Sequence, residues 1–403
     1  MKKNSGGLSF DNIGDLLPAA QRLFEYSQSL RRDFHRYPEL GFCEHRTAAI
    51  VARELNQSGL EVMTGVAETG VVGLLKGAQP GPVVLVRFDM DALPIQEETG
   101  AFYASENPGV MHACGHDSHM AIGLTTARLL AERSGSFCGM IKFVFQPAEE
   151  GLGGAERMIE AGVLDNPHVD ATLGLHVWNE RPVGWVCASP GPLMAGADIF
   201  EVRIEGRGGH GALPHEAVDP VAASAQIISA LQTIVSRNVP PLDTAVISVC
   251  HLKAGEAFNV IPQWAEFTGT FRTFLPEIRQ LVIARFEAIV RGIAGAFGCE
   301  ATVKITRMTP SVVNDPRIAR LAEQAIRRVM PDVDLVTDYQ TMVSEDMAYM
   351  MEKVPGCYLM IGSAHPDPVK TYGHHHPKFD INELVLPRGA AVMAASALEL
   401  LKV

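Results

Sequence analysis

The 403-residue chain carries 46 acidic and 34 basic residues, which gives a formal net charge of −12 at pH 7. This acidic balance argues against nucleic acid or an anionic membrane as the main partner, because phosphate binding needs a basic patch. Hydrophobic residues make up 47% and charged residues 20%, which excludes a disordered chain. The sequence also lacks the run of about 18 apolar residues that a membrane span needs.

The length predicts two to three domains, at about 150 residues per domain. The seven cysteines are an odd number scattered along the chain, which favours free thiols in a reducing compartment over a disulfide framework. The N-terminal stretch MKKNSGGLSFDNIGDLL has no apolar segment typical of a signal peptide. We therefore expect a cytoplasmic protein.

The first part of the chain alternates helical and strand patterns. Apolar residues at helical spacing predict helices over 16–37, 47–55, 118–132 and 154–161. Short apolar runs bounded by Gly and Pro predict buried strands over 71–75, 83–88, 141–145 and 171–177. Such alternation with continuously apolar strands predicts an α/β domain whose sheet is mostly parallel and covered on both faces.

The pattern changes near residue 195. Half-exposed strands are expected over 199–206, 266–273 and 300–307, with long helices over 220–237 and 276–295 between them. This mixture predicts a smaller α+β, ferredoxin-like domain with a one-sided sheet. The first pattern returns in a helix over 316–329, a strand over 357–362 and a helix over 386–401. We therefore predict an inserted domain at 196–309 within one discontinuous catalytic domain, 1–195 and 310–403.

The segment MHACGHDSHM concentrates potential metal ligands after a predicted strand. Cys114 and His116 are two residues apart, so their side chains can converge in an extended or looped segment. A thiolate and an imidazole are a natural pair for zinc or a similar divalent ion. Taken alone, the pair is equally compatible with a buried cysteine beside a surface histidine.

Two further segments place candidate ligands just past strands. QPAEEG supplies Glu149 and Glu150, which point opposite ways in an extended chain, so one could bind metal while the other reaches a bound water. GLHVW supplies His176 in apolar surroundings. The alternatives are a solvated turn for the glutamates and a satisfied core histidine for His176.

A late segment and an early one complete the set. GHHHPKF contributes three consecutive histidines, which are His374, His375 and His376. FDMDALP contributes Asp89 and Asp91, which could bind metal directly or orient a ligating histidine. We favour the orienting role for Asp91, and the alternative is a turn-capping aspartate.

Considered jointly, these segments favour a metal-dependent hydrolase. Four of them follow strands of the same domain, and sites in open α/β sheets form at the carboxyl ends of strands. Five candidate ligands exceed what one tetrahedral ion needs, which indicates a two-metal site with a shared ligand.

At this point the sequence resembles a known family. FDMDALP, MHACGHDSHMA, QPAEEG, GLHVW, GGHGALPH, FNVIPQWAEFTGTFR, SEDM and HHPKFD follow the order seen in the amidohydrolases that act on hippurate and auxin conjugates. That family belongs to the dinuclear-metal aminoacylase and carboxypeptidase clan, and the likeness runs from about residue 30 to 390. It implies a zinc-exopeptidase-like catalytic domain and the hydrolysis of N-acyl-L-amino acids.

The resemblance also implies roles for individual residues. Glu149 would be the general base, and two divalent ions, Zn²⁺ or Mn²⁺ with Co²⁺ or Ni²⁺ possible, would share the ligands Cys114, His116, Glu150, His176 and His375. In the inserted domain, His210 would reach the active site of the partner subunit of a homodimer and hold the carbonyl oxygen. Asn259 and Arg272 would bind the substrate carboxylate, a task that suits the planar guanidinium.

Three alternatives remain open from the sequence. An exopeptidase of the same clan would cleave dipeptides instead of N-acyl amino acids. A non-catalytic metal- or ligand-binding protein could use an enzyme fold. A cysteine hydrolase with Cys114 as nucleophile would survive a chelator and be inactivated by a thiol alkylator.

Overall fold

The computed structural model describes residues 13–402, which fold as two compact units. The first unit comprises residues 13–191, 313–339 and 346–402, and the second comprises 192–312 and 340–345. Most of the N-terminal stretch from which we expect no signal peptide, residues 1–12, lies outside the described residues. Among the residues described, none of the helices combines the length and apolar character that crossing a bilayer requires.

The strands are numbered in chain order over the described residues. They are β1 Glu61–Val66, β2 Gly70–Lys76, β3 Gln79–Asp89, β4 Cys138–Gln146, β5 Ala171–Pro182, β6 Trp185–Cys187, β7 Gly191–Met194, β8 Gly196–Glu205, β9 Gly209–His210, β10 Ala245–Ala254, β11 Val260–Ile261, β12 Trp264–Thr273, β13 Glu300–Thr309, β14 Val312–Asn314, β15 Asp334–Val336 and β16 Gly356–Ala364.

The helices are numbered in the same way. They are α1 Leu16–Arg22, α2 Phe24–Arg36, α3 His45–Gln57, α4 His116–Ala131, α5 Gly154–Glu160, α6 Pro220–Arg237, α7 Pro276–Ala296, α8 Pro316–Val329, α9 Ala348–Lys353 and α10 Val385–Leu400, with short 3₁₀ helices at Ile13–Asp15, Ser134–Ser136, Pro214–Glu216 and Pro368–Lys370. Helices α6 and α8 each begin at a proline that follows an aspartate. The carboxylates of Asp219 and Asp315 accept backbone N–H groups of the first turn, which fixes these starts.

The first unit is built on an eight-stranded sheet in the order β1-β2-β4-β3-β5-β16-β6-β15. Its central strands β4, β3, β5 and β16 are mutually parallel, and antiparallel pairing occurs where β2 joins β4 and where β6 joins β16. Helix α10 is apolar on nearly all sides and almost entirely buried, as expected for a helix in a core. The prediction of a mostly parallel α/β sheet is confirmed.

The second unit has a four-stranded antiparallel sheet in the order β10-β12-β8-β13. With α6 between β8 and β10 and α7 between β12 and β13, the chain runs β-α-β-β-α-β. This is the ferredoxin-like arrangement expected from the sequence. The apolar sides of the sheet and of both helices share one core, which includes Phe200, Phe271 and Phe286.

The parallel strands of the first unit explain where a site forms. Strand β3 ends at Asp89, β4 ends at Gln146, and β5 carries His176. Parallel strands present their carboxyl ends at one edge of a sheet, so the segments that follow β3 and β4 lie beside the later part of β5. The candidate ligands of the first unit that follow or lie on these strands therefore meet at this edge.

Candidate metal centre

The structure brings together all five sequence-predicted ligands within the first unit. The ligand atoms of Cys114, His116 and His176 lie within 4.8 Å of one another, as do those of Cys114, Glu150 and His375. Cys114 belongs to both groups, so its thiolate could serve as a ligand in either. The described residues thus supply sulfur, nitrogen and oxygen donors in the mixture that zinc and manganese accept.

His176 has a defined tautomer that leaves one nitrogen available. Its Nδ1 donates to the Val177 carbonyl oxygen over 2.6 Å, so the lone pair resides on Nε2, which is 3.5 Å from Cys114 Sγ. Burial and then the neighbouring His119 and His374 hold the pKa of His176 well below its usual range. A neutral imidazole with a free Nε2 is the form that ligates a metal.

His116 and Glu150 are both held by Asp91. His116 Nδ1 lies 2.9 Å from the Asp91 carbonyl oxygen and 3.2 Å from its Oδ1, while Asp91 Oδ2 accepts the Glu150 backbone N–H over 2.9 Å. His116 Nε2 and Glu150 Oε1 are 4.0 Å apart. Asp91 therefore contacts two candidate ligands and orients the His116 ring.

The three consecutive histidines have different surroundings. His374 stacks on Trp178 and its Nε2 donates to the Val177 carbonyl oxygen over 3.0 Å, while His376 stacks on Tyr372. Only His375, among the three, places Nε2 near the cluster, 3.4 Å from Glu150 Oε1.

The His375 backbone is held in an unusual conformation. Its φ is 65°, and its N–H donates to the Ala113 carbonyl oxygen over 2.8 Å, next to Cys114. Ala148, just before the glutamate pair, also has a positive φ of 55°. Non-glycine residues in this left-handed region cost free energy and cluster at functional sites.

Glu149 lies beside the cluster of candidate ligands. Its carboxylate approaches His116 and Glu150 within 4.8 Å, and its Oε1 accepts the Asp346 backbone N–H over 3.3 Å. A carboxylate in this position can reach a water held by the candidate ligands.

The electrostatic balance of the cluster favours a cation. Burial alone lowers the pKa of His116, but Asp89, Asp91 and Glu150 outweigh it and raise that pKa to about 10. Burial and then the charges of Glu150 and Glu149 raise the pKa of the Cys114 thiol well above its usual value. The neighbouring carboxylates help to raise the pKa values of both His116 and Cys114, because they make the local electrostatic potential negative.

Two orphaned atoms point to the same conclusion. Among the described residues, His116 Nε2 and Glu150 Oε1 are buried and have no hydrogen-bond partner. Unpaired buried polar atoms are costly, and a divalent ion would satisfy both. The donor set therefore fits a divalent metal.

Sequence reasoning missed a buried polar network next to this cluster. The Arg87 guanidinium donates to Asp89 Oδ2 over 2.7 Å, to Asp346 Oδ1 over 2.9 Å and to Gln146 Oε1 over 2.9 Å. Arg87 lies inside a predicted strand, where an isolated charge gave no sign of its partners. The available signal was a single arginine, Arg87, between the apolar residues Val86 and Phe88 in a stretch predicted to be buried. A buried arginine requires carboxylate partners.

The remaining sequence-predicted residues belong to the second unit. His210 on β9 pairs with Val260 of β11, and Gly211 donates its N–H to the Asn259 carbonyl oxygen over 2.8 Å, so His210 and Asn259 are neighbours. Arg272 lies on β12, half-buried, and donates to the Phe271 carbonyl oxygen over 3.0 Å. Burial lowers the pKa of its guanidinium.

Comparisons with known proteins identify the family to which the chain belongs. A family model described as peptidase family M20/M25/M40 matches residues 85–399. The chain is 41% identical over 375 residues to an N-acetylcysteine deacetylase of Bacillus subtilis (strain 168), covering 93% of this chain and 96% of that protein. It is 37% identical over 394 residues to thermostable carboxypeptidase 1 of Saccharolobus solfataricus, covering 96% and 99%.

A solved structure is also similar to this chain over nearly its whole length. The YXEP protein of Bacillus subtilis, described as a dinuclear metal binding peptidase from the M20 family, superimposes with a TM-score of 0.84 at 37% identity, covering 95% of this chain and 99% of that one. The resemblance to dinuclear-metal amidohydrolases is confirmed. The chain belongs to peptidase family M20/M25/M40 and is a metal-dependent hydrolase.

Proposed function

We propose that this enzyme hydrolyses the amide bond of N-acyl-L-amino acids, either hippurate-like or N-acetylated, to a carboxylic acid and a free amino acid. The observation that carries the proposal is the Glu149 carboxylate beside a cluster of five candidate ligands in one unit. The deacetylase relative supports an N-acyl amino acid as substrate.

The proposed metal ligands are the five residues of that cluster, Cys114, His116, Glu150, His176 and His375, with Cys114 shared between two divalent ions such as Zn²⁺ or Mn²⁺. When bound, these ions would acidify water and polarise the substrate carbonyl. Asp91 would hold His116 and Glu150 in place for this purpose.

Glu149 would accept the proton of the attacking water and pass it to the leaving nitrogen. The C–N bond breaks as the acyl carbon gains the hydroxyl and the nitrogen gains the proton. The Asp346 N–H, which donates to Glu149 Oε1, would keep this carboxylate in position.

The second unit would recognise the substrate. We assign Asn259 and Arg272 to its carboxylate, and His210 to the carbonyl oxygen in the partner subunit of a homodimer. This assignment keeps the sequence-expected division into a catalytic domain, 1–195 with 310–403, and an inserted lid and dimerisation domain, 196–309. A cytoplasmic location remains part of the proposal.

A metal-dependent dipeptidase or carboxypeptidase is the second candidate, and the carboxypeptidase relative favours it. A cysteine hydrolase fits less well, because a nucleophilic cysteine needs a lowered pKa, whereas burial and then Glu150 and Glu149 raise the pKa of Cys114.

The test is a substrate panel assayed with the whole protein. Hippurate, N-acetyl amino acids and dipeptides would be incubated before and after chelator treatment, followed by addition of Zn²⁺, Mn²⁺ or Co²⁺. Metal-restored release of amino acid from the N-acyl compounds supports the proposal. Cleavage of dipeptides alone would transfer the assignment to the peptidase, and full activity in chelator would exclude a metal-dependent reaction.

A further inference from the structure

His119 is a buried histidine of the MHACGHDSHM segment to which neither the sequence nor the proposed mechanism gives a role. It lies in the first turn of α4, and its ring meets that of His176 edge to face, with centroids 4.6 Å apart. A ring nitrogen of His119, a carboxylate oxygen of Asp89 and a ring nitrogen of His116 also lie within 4.8 Å of one another. His119 could therefore either bind a metal itself or hold a residue that does.

Both ring nitrogens of His119 are already used. Nδ1 lies 2.6 Å from Asp89 Oδ1, and the other oxygen of Asp89 is held by Arg87. The backbone N–H of Val177 points at the other ring nitrogen, Nε2, so Nε2 is the acceptor and the ring proton of His119 lies on Nδ1. Nδ1 therefore donates to Asp89.

The opposite nitrogen accepts from the backbone. Val177 donates its N–H to His119 Nε2 over 2.9 Å. Pairing between β3 and β5 ends at Arg87 and Gly174, so the strand edge at Val177 finds its partners among side chains. With a donor at one nitrogen and an acceptor at the other, neutral His119 has no lone pair left for a metal.

Val177 is also the residue that fixes His176. Its carbonyl oxygen accepts His176 Nδ1 over 2.6 Å and His374 Nε2 over 3.0 Å. The bond to His176 sets the tautomer that turns Nε2 toward Cys114. Any shift of the backbone at Val177 would therefore turn the ring of this candidate ligand.

We propose that His119 is a positioning residue, which holds Val177 through its N–H and thereby keeps His176 aimed at the metal. The chain of contacts runs from Arg87 through Asp89 and His119 to the backbone beside His176. This inference rests on the metal centre of the proposed function but not on its substrate. Partners that orient a ligand in this way typically contribute about 10- to 100-fold in metal affinity.

Two near-isosteric substitutions separate the two bonds of His119. In His119→Asn the side-chain amide nitrogen can replace Nδ1 and donate to Asp89, but the Val177 N–H is left unpaired. In His119→Gln the amide oxygen can replace Nε2 and accept the Val177 N–H, while the bond to Asp89 is lost. His119→Phe removes both bonds and keeps a ring.

A matched control lies on the same helix. Thr125 is buried and its hydroxyl donates to the Ala121 carbonyl oxygen over 2.7 Å, within α4. Thr125→Val therefore removes a buried hydroxyl at nearly constant side-chain size, and the bond that it removes is internal to α4.

The experiment is Zn²⁺ binding to the metal-free full-length protein, measured by competition with a chromophoric chelator. We expect the dissociation constant of one ion to rise about 10- to 100-fold in His119→Asn and His119→Phe, and by less than about threefold in His119→Gln. Thr125→Val should bind as the wild type does.

The outcomes distinguish this inference from the proposed function. Equal affinities for His119→Asn and His119→Gln would overturn the role of the Val177 bond, whether or not His119→Phe folds. A wild-type protein that binds no Zn²⁺ would overturn both the metal centre and this inference. Because no substrate is used, failure to hydrolyse N-acyl amino acids leaves the binding result valid.

Discussion

Replacing Glu149 by Gln tests the general base most directly. The amide keeps the size of the side chain and can still accept the Asp346 N–H, which is 3.3 Å from Oε1 in the wild type. It cannot accept a proton from water at neutral pH. General-base catalysis typically contributes about 10²- to 10⁴-fold, so we expect kcat to fall by that factor, or about 2.7 to 5.5 kcal/mol in barrier height.

The assay combines steady-state kinetics with metal analysis of the same samples. Metal content should stay at the wild-type level, because the five candidate ligands are intact. Glu156→Gln is the matched control, since it removes the same charge from the exposed surface of α5, a few residues away. A Glu149→Gln enzyme with bound metal and a near-normal kcat would refute the assignment, and loss of metal would make Glu149 a ligand instead.

Three further predictions concern reactivity, binding and pH. Cys114 in the metal-free protein should resist iodoacetamide at pH 7, because burial and then Glu150 raise the pKa of its thiol; rapid labelling detected by peptide mass spectrometry would contradict this. Arg272→Ala should raise KM about 10- to 100-fold for substrates with a free carboxylate, and an unchanged KM would remove this residue from that role. Burial by itself lowers the pKa of His35, but the hydrogen bond to Asp117 helps to raise it from 6.5 to about 9. A group whose pKa is higher in the folded state stabilises the fold below its unfolded pKa and loses this contribution as pH rises through its folded pKa. The free energy of unfolding should therefore fall as pH rises from about 6.5 to about 9, and denaturant titrations of His35→Asn should show a smaller fall than the wild type.

The sequence predicted elements best where burial is continuous. Helix α8 has the predicted limits, and the strands at the centre of the large sheet lie within a few residues of the apolar runs. Strand β1, at the sheet edge, was missed because most of its residues are exposed and carry no apolar run. An edge strand is specified by its partner, and that information is not local.

One expected helix is in fact two. The apolar spacing over 16–37 continues through Leu23, yet the structure ends α1 at Arg22 and begins α2 at Phe24. Leu23 donates its N–H to the Ala20 carbonyl oxygen over 3.0 Å, which tightens the last turn of α1. No glycine or proline marks this break, so local propensity could not reveal it.

Candidate ligands and the residues that hold them differ in how visible they are to sequence reasoning. Cys114, His116 and His176 are recognisable because few residue types bind metals and because they lie on or after parallel strands whose carboxyl ends meet. The residues that hold them act on backbone groups instead. His119 accepts the Val177 N–H, and Asp91 accepts the N–H of Glu150.

Any residue except proline supplies such an N–H, so nothing in the identity of Val177 shows that its backbone is needed. The same holds for the Val177 carbonyl oxygen, which receives both His176 and His374. Spacing rules find atoms that only certain side chains carry, whereas the orientation of those atoms depends on main-chain groups that every residue carries. Substitution of the side chain that binds the backbone group, as in His119→Asn and His119→Gln, is therefore the way to measure how much such a main-chain contact contributes to metal affinity.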